Sequence, residues 1–248
     1  MRMRRIMLVV AYEGTNYCGW QIQPNGPTIE GVLNAELSRI LKEDIHVIGA
    51  SRTDAGVHAM GNVAVFDTNA RIPGNKVAFA LNQSLPEDVR IQQSMEVSPD
   101  FHPRHCDTRK TYEYNIYNHT FENPLVRRYS WFLHQKLDIT NMQEAAGKFV
   151  GTYDFKSFCN IHTQVEDTVR TVYSCELRRQ MEHEIVLRIV GNGFLYNMVR
   201  IIAGTVAEVG MGRFEPADIP KMIDRRDRGC AGKTAPAKGL RLVKIEYI

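Results

Sequence analysis

Residues 49–59 read GASRTDAGVHA and follow an apolar segment around Ile48. The hydrophobic pattern predicts strands over residues 45–50 and 60–67, with this run forming the loop between them. The loop places the carboxylate of Asp54 two residues after the guanidinium of Arg52. A carboxylate beside a positive charge stays ionised, which suits a nucleophile better than an acid. Loops held by a rigid sheet often carry the chemistry of a protein.

The same run also fits a turn without any chemistry. Asp54 would cap the turn, Gly56 would supply a positive φ, and His58 would start the next strand. Because His58 has apolar neighbours, a satisfied core histidine is the favoured interpretation of that residue. The residue types of this run alone leave both interpretations open.

Composition narrows the class of protein. The 248 residues suffice for one large domain or two fused lobes, and 44% hydrophobic residues are typical of a soluble globular chain. The five cysteines include no CxxC pair, which argues against a zinc site or a disulfide framework and for a reducing compartment. The histidines lack metal-ligand spacing, and no cofactor motif is present. We therefore expect neither a metal nor a cofactor. No apolar stretch reaches spanning length, so we also expect no membrane contact and a cytoplasmic protein.

The order of predicted elements indicates an α+β fold. Each half contains strands and two helices in a similar order, which predicts two similar lobes with a mostly antiparallel sheet flanked by helices. The segment 98–110 lacks periodicity and contains two prolines, so we place the joint there, between lobes 1–103 and 104–248. Helices are predicted over 28–42, after a cap at Asn75, after a Thr140–Gln143 capping box and over 194–209.

Three basic clusters favour a partner rich in phosphate. In the last cluster Asp224 and Asp227 are interleaved, so a solvated face is an equal alternative there. The clusters comprise Arg2, Arg4 and Arg5; Arg104, Arg109 and Lys110; and Lys221, Arg225, Arg226, Arg228, Lys233, Lys238 and Arg241.

Two further residues are candidates for a site with Asp54. Tyr112 lies on an alternating strand and could stack on a flat polar ring, although a core aromatic is the commoner role. Arg200 interrupts an otherwise apolar helix, and a buried arginine needs an acidic partner. A carboxylate, a tyrosine and an arginine together could hold a polar ring next to a phosphate chain.

Five segments in order resemble the tRNA pseudouridine synthase A family, and the resemblance runs from about residue 6 to residue 248. These segments are AYEGTNYCGWQIQPN, SRTDAGVHA, KTYEYNIYN, GNGFLYNMVRIIAG and TAPAKGLRLVKIEY. The resemblance implies a cofactor-free isomerase that converts uridine to pseudouridine at positions 38 to 40 of the tRNA anticodon stem-loop. It further implies a homodimer whose two lobes surround a basic cleft.

The resemblance also implies roles for individual residues. Asp54 would be the nucleophile, Tyr112 would stack on the target uracil, and Arg200 would pair with Asp54. Arg52 would enter the RNA helix where the target base has swung out. We add Leu195 and Met198 as candidate pocket walls, and His58 and Lys110 as further candidate substrate contacts.

The chain departs from the usual family pattern at three places. Lys110 and Thr111 stand where two arginines are common, Arg241 stands where an aromatic residue is common, and the loop 160–167 has an unusual form. The departures concern RNA affinity or target choice. Two other functions remain open, an RNA-binding module without chemistry and a nucleoside hydrolase, and the latter would show little salt dependence.

Overall fold

The computed structural model describes residues 3–161, 163 and 165–248, so Arg2 and His162 lie outside the described residues. The strands are β1 (Arg4–Tyr12), β2 (Ile48–Gly49), β3 (His58–Thr68), β4 (Val89–Val97), β5 (Thr108–Asn118), β6 (Trp131–Leu133), β7 (Gly151–Asp154), β8 (Val169–Arg179), β9 (Glu184–Gly191) and β10 (Leu240–Tyr247). The helices are α1 (Ile29–Leu41), α2 (Val77–Leu81), α3 (Ile139–Gly147), α4 (Met198–Gly210) and α5 (Asp218–Arg225).

The chain forms two compact units. The first contains the residues up to Asp107 together with Leu242–Ile248, and the second contains Thr108–Arg241. The lobes predicted from the sequence, 1–103 and 104–248, differ from these units at two places. The first boundary lies after Asp107, and the last residues of the chain belong to the first unit. The last strand accounts for most of the difference, because its residues from Leu242 onward pack with the first unit.

The sheet of the first unit has the order β4-β1-β3-β10, with the short β2 beside β3. Strand β1 runs antiparallel to β3 and β4. Its alternate residues Ile6, Leu8 and Val10 are fully buried. This alternation of period two is what directs one face of a strand into a core. Helix α1 is capped by Thr28, whose side chain accepts a hydrogen bond from the backbone N–H of Gly31.

The sheet of the second unit has the order β5-β9-β8-β7, and all three of these pairings are antiparallel. Strand β6 adds to β5 in parallel. Helix α4 is buried on nearly all sides and lies against α3 and β5. Gly204 in this helix permits close packing, because a Cβ there would collide with the carbonyl oxygen of Lys233.

The α+β fold with a mostly antiparallel sheet flanked by helices is confirmed. The basic cleft belongs to the family resemblance and stays a prediction. None of the described helices is long and apolar enough to cross a membrane.

Several predicted element ends were wrong. The strand before the Asp54 loop is limited to Ile48–Gly49. Helix α2 ends at Leu81, and Asn75 lies in a 3-10 turn before it instead of capping it. Asp138 caps α3 through the N–H of Asn141, so Thr140 and Gln143 form no capping box. Helix α4 begins at Met198, four residues later than predicted, because Asn197 adopts a left-handed conformation that ends any helix before it.

Candidate active site

Asp54 lies half-buried in the loop between β2 and β3. The backbone N–H of Val57 donates to the carbonyl of Asp54 over 3.1 Å and closes a turn. Gly56 occupies this turn with φ +77°, a conformation that side chains other than glycine rarely adopt. The turn predicted from Asp54 and Gly56 is therefore present, and the chain holds Asp54 at its start.

The residue before Asp54 is held from two sides. The backbone N–H of Trp20 donates to the carbonyl oxygen of Thr53 over 3.0 Å, and the hydroxyls of Tyr12 and Thr53 lie 2.8 Å apart. At Gly19 a Cβ would lie 2.5 Å from the same carbonyl oxygen, and its φ is +93°. These contacts join the loop to β1 and to the segment that follows β1. They fix the backbone next to Asp54.

His58 is buried and begins β3. Its Nδ1 accepts a hydrogen bond of 3.0 Å from the backbone N–H of Gly14, and Glu13 Oε1 lies 3.8 Å away. These contacts favour the core-histidine interpretation, since the ring fastens the turn after β1. Its role as a substrate contact stays a prediction.

Arg52 is exposed on the same loop. A second guanidinium approaches the base of this loop, because Arg104 Nε donates to the carbonyl oxygen of Gly49 over 2.6 Å. The sequence assigned Arg104 only to a basic cluster. No pattern along the chain indicates its contact with Gly49, which is 55 residues away.

Tyr112 lies on β5 opposite Ile189 of β9. Its side chain is buried, and its ring meets the edge of Phe194 with centroids 5.2 Å apart and planes at 82°. Such edge-to-face contacts orient aromatic rings. The structure therefore holds the Tyr112 ring in a defined orientation, while stacking on uracil stays a prediction.

Arg200 lies in the first turn of α4. Its Nε donates to the carbonyl oxygen of Ala235 and its Nη1 to Asn197 Oδ1, both over 2.8 Å. Burial raises the pKa of Tyr114, and the positive charge of Arg200 opposes this rise. Tyr112 and Tyr114 share one face of β5. Within the second unit, the fold therefore brings Arg200 to the face of β5 that carries Tyr112.

The remaining candidates lie around the start of α4 and on β5. Leu195 and Met198 are both buried, and the N–H of Met198 donates to the carbonyl of Leu195. Leu195 precedes the helix in which it was predicted to lie. Lys110 lies on β5 opposite Gly191. These positions are compatible with pocket walls and a substrate contact, which stay predictions.

Most cations of the first and last basic clusters have partners within the fold. Arg4 pairs with Glu96 over 3.0 Å and Arg5 with Asp67 over 2.7 Å. In the last cluster, acidic residues pair with Lys221, Arg226, Lys238 and Arg241. Among the described residues no group of three or more His, Cys, Asp or Glu side chains could hold a metal ion.

Comparison with known proteins identifies the family. The model of the family described as tRNA pseudouridine synthase matches residues 8–105 and 145–248. The protein named tRNA pseudouridine synthase A of Ruminiclostridium cellulolyticum is 48% identical over 99% of this chain and 100% of its own length. The protein of the same name from Caldicellulosiruptor saccharolyticus is 46% identical over the same shares.

A solved structure titled as a pseudouridylate synthase is more distant. It has 12% sequence identity and a TM-score of 0.37, and the alignment covers 100% of this chain and 64% of that one. The family match and the full-length relatives are sufficient, and they show that this chain belongs to the tRNA pseudouridine synthase family and is an isomerase of uridine in tRNA.

Proposed function

We propose that this enzyme isomerises uridines 38 to 40 of the tRNA anticodon stem-loop in a reaction that depends on Asp54. The observation that carries the proposal is the fixed position of the Asp54 loop, whose backbone is held by hydrogen bonds to neighbouring segments. The relatives named above match the chain over their full length. A carboxylate held in this way can act repeatedly at one atom of a bound nucleotide.

The reaction follows from the difference between uridine and pseudouridine. The C1′–N1 bond breaks, the uracil turns, and C5 forms a bond to C1′. C5 then loses its hydrogen as a proton, and N1 gains a proton, so substrate and product have the same atoms. The Asp54 carboxylate attacks C1′ or acts on the base. Carboxylates perform comparable chemistry at the glycosidic carbon in glycosidases.

The target nucleotide must leave the base stack before Asp54 can reach it. This base flipping costs a few kcal/mol and least for a loop base. Tyr112 stacks on the flipped uracil, and Arg52 fills the gap in the RNA. Leu195 and Met198 wall the pocket so that the detached uracil is retained, while His58 and Lys110 contact the substrate.

The family resemblance supplies the other parts of the proposal. Arg200 pairs with the Asp54 carboxylate and keeps it ionised, as a cation near a carboxylate does. The enzyme acts as a cytoplasmic homodimer and reads its tRNA mainly by shape and phosphate contacts, since A-form grooves expose few base edges.

Tritium release from tRNA transcripts labelled at uridine C5 tests the proposal. Wild-type enzyme should release tritium from positions 38 to 40, and Asp54→Asn should release none while it still binds tRNA. Asp44→Asn is a matched control, because Asp44 is an exposed carboxylate in the same unit. A tenth of wild-type activity in Asp54→Asn would exclude Asp54 as the nucleophile. Binding without release by the wild type would instead favour a non-catalytic RNA-binding module.

A further inference from the structure

The segment that carries Arg104 has no regular structure between β4 and β5, yet it is fixed to the first unit. Arg5 Nη1 donates to the carbonyl of Phe101 over 2.9 Å, and the ring of Phe101 meets the ring of Tyr247 with centroids 5.0 Å apart. The N–H of Ile248 donates to the carbonyl of Asp107 over 3.1 Å. Contacts from β1 and from the end of the chain therefore hold both sides of this segment.

Arg104 lies within a tight turn of this segment. The N–H of His105 donates to the carbonyl of His102 over 3.2 Å, and the two imidazole rings stack with centroids 3.8 Å apart. Arg104 Nε is engaged by the carbonyl of Gly49. Within the described part of the chain, its Nη1 and Nη2 have no hydrogen bond. The guanidinium is therefore held in place while its two terminal nitrogens remain available.

A second cation lies nearby. Arg104 is exposed to solvent, but partial desolvation of its guanidinium and the positive charge of Arg52 lower its pKa, and Glu30 acts in the opposite direction. Glu30 Oε2 already accepts a hydrogen bond from the N–H of Ile22 over 2.9 Å. Over the described ranges, neither Arg52 nor Arg104 forms an ion pair. Two neighbouring cations that form no ion pair repel one another, and this repulsion is relieved when an anion binds between them.

We propose that Arg104 binds a backbone phosphate of the tRNA and so positions the RNA strand against the Asp54 loop. Arg52 keeps the role given above in the gap left by the target base, and Arg104 holds the phosphate next to that gap. Guanidinium groups suit this ligand, because their parallel N–H groups match the spacing of phosphate oxygens. Fixing the guanidinium beforehand reduces the entropy lost on binding. The inference rests on the proposed function, since it assigns the phosphate to the same site.

A purely structural role for Arg104 is the competing explanation, and Arg90 provides an internal reference for it. Arg90 Nη1 donates to the carbonyls of Leu85 and Val89 over 3.2 and 2.7 Å, also within the first unit. Both arginines thus bind backbone carbonyls, and Arg104 in addition lies near the cation Arg52. Replacing each by glutamine separates the loss of an anchor from the loss of a phosphate contact.

The test measures tRNA affinity over a series of salt concentrations. The ligand is a tRNA transcript with cytidine at positions 38 to 40, which keeps the phosphate backbone but contains no target uridine there. Each phosphate contact adds about 0.9 to the slope of log K against log salt. Arg104→Gln should lower the slope by about 1 and weaken binding about tenfold at moderate salt. Arg104→Lys should keep most of the slope, and Arg90→Gln should keep all of it.

The outcomes separate the two explanations. An unchanged slope in a folded Arg104→Gln variant, or an equal loss of slope in Arg90→Gln, would overturn the phosphate contact. If Arg104→Gln does not fold, Arg104→Lys decides: it keeps the charge but not the paired N–H groups, so the slope should stay while the affinity falls, and an unchanged affinity would overturn the phosphate contact. Tritium release by the wild type is read separately. A missing release with a lowered slope would refute the proposed reaction and leave the phosphate contact standing.

Discussion

Two groups of arginines in this enzyme have opposite surroundings. In the second unit, the buried carboxylate of Glu113 accepts from Arg188 over 2.7 Å and from Arg241 over 2.6 Å. In the first unit, Arg52 and Arg104 lie near each other, and no described carboxylate forms an ion pair with either. The arginines of the first group form ion pairs within the fold, whereas those of the second group form none with the described residues and are available to bind an anion from outside.

The comparison shows that an arginine's function follows from its partners more than from its position in a basic cluster. Arg241 illustrates this, since it belongs to the last basic cluster and replaces a residue that is often aromatic in the family. Its guanidinium completes the pairing of Glu113 and therefore serves the fold. This pairing gives the departure at position 241 a structural reason.

The largest loss of stability is expected when Glu113, the carboxylate shared by Arg188 and Arg241, is removed. Glu113→Ala leaves Arg188 and Arg241 without a carboxylate. Breaking a fully buried ion pair costs about 3–5 kcal/mol, and because both arginines are about one third exposed we expect a loss at the lower end, about 3 kcal/mol. Denaturant unfolding followed by circular dichroism measures this loss. Glu113→Gln is the control, because it keeps the shape and one carbonyl acceptor and should lose less. A free energy of unfolding in Glu113→Ala within about 1 kcal/mol of wild type would show that this arginine group does not stabilise the fold.

The same pairing predicts a dependence on pH. Burial opposes ionisation of Glu113, but the hydrogen bonds and charges of Arg241 and Arg188 outweigh it and lower its pKa. A carboxyl group whose pKa is lower in the folded state stabilises the fold fully above its unfolded pKa of about 4.3. This stabilisation is lost as the pH falls through the lower folded-state pKa. The stability difference between wild type and Glu113→Gln should shrink over that acidic range, and a constant difference would contradict the assignment.

An intermediate effect is expected at Arg200, whose described partners are a carbonyl and an amide oxygen. Arg200→Met removes both hydrogen bonds, and because Arg200 is only partly buried each should contribute about 1 kcal/mol. The variant should unfold more easily and also lose tritium release, because Asp54 loses its proposed partner. Arg200→Lys keeps a positive charge and should retain more activity than the methionine variant. Full activity at unchanged stability in Arg200→Met would disprove both roles.

The smallest effect is expected at Arg178. Its Nη2 lies 4.0 Å from Glu113 Oε1, and its side chain is 61% exposed. Exposed ion pairs contribute about 0–1 kcal/mol. Arg178→Gln should therefore change stability by less than about 0.5 kcal/mol, while the same change at Arg188 should cost several times more. Equal losses of stability in the two variants would show that distance and exposure do not determine how strongly each arginine stabilises the fold.

Local patterns predicted most of the fold because their causes are local. Alternation along β1 and β5 and the spacing of Ile29, Leu33 and Leu37 in α1 reflect a single buried face, which the sequence displays directly. The wrong ends have causes that the sequence does not display. Asp138 caps α3 in place of Thr140, and the left-handed backbone of Asn197 sets the start of α4 at Met198.

The family, the α+β class and the candidates Asp54, Tyr112 and Arg200 could all be predicted from the amino-acid sequence, because they depend on residue types at short, ordered spacings. Which charges have a partner follows only from the folded arrangement. Glu113 meets Arg241 across 128 residues, and Arg104 meets Gly49 across 55. Electrostatic interactions act through space and weaken with distance, so the folded arrangement determines which arginines support the fold and which remain for RNA.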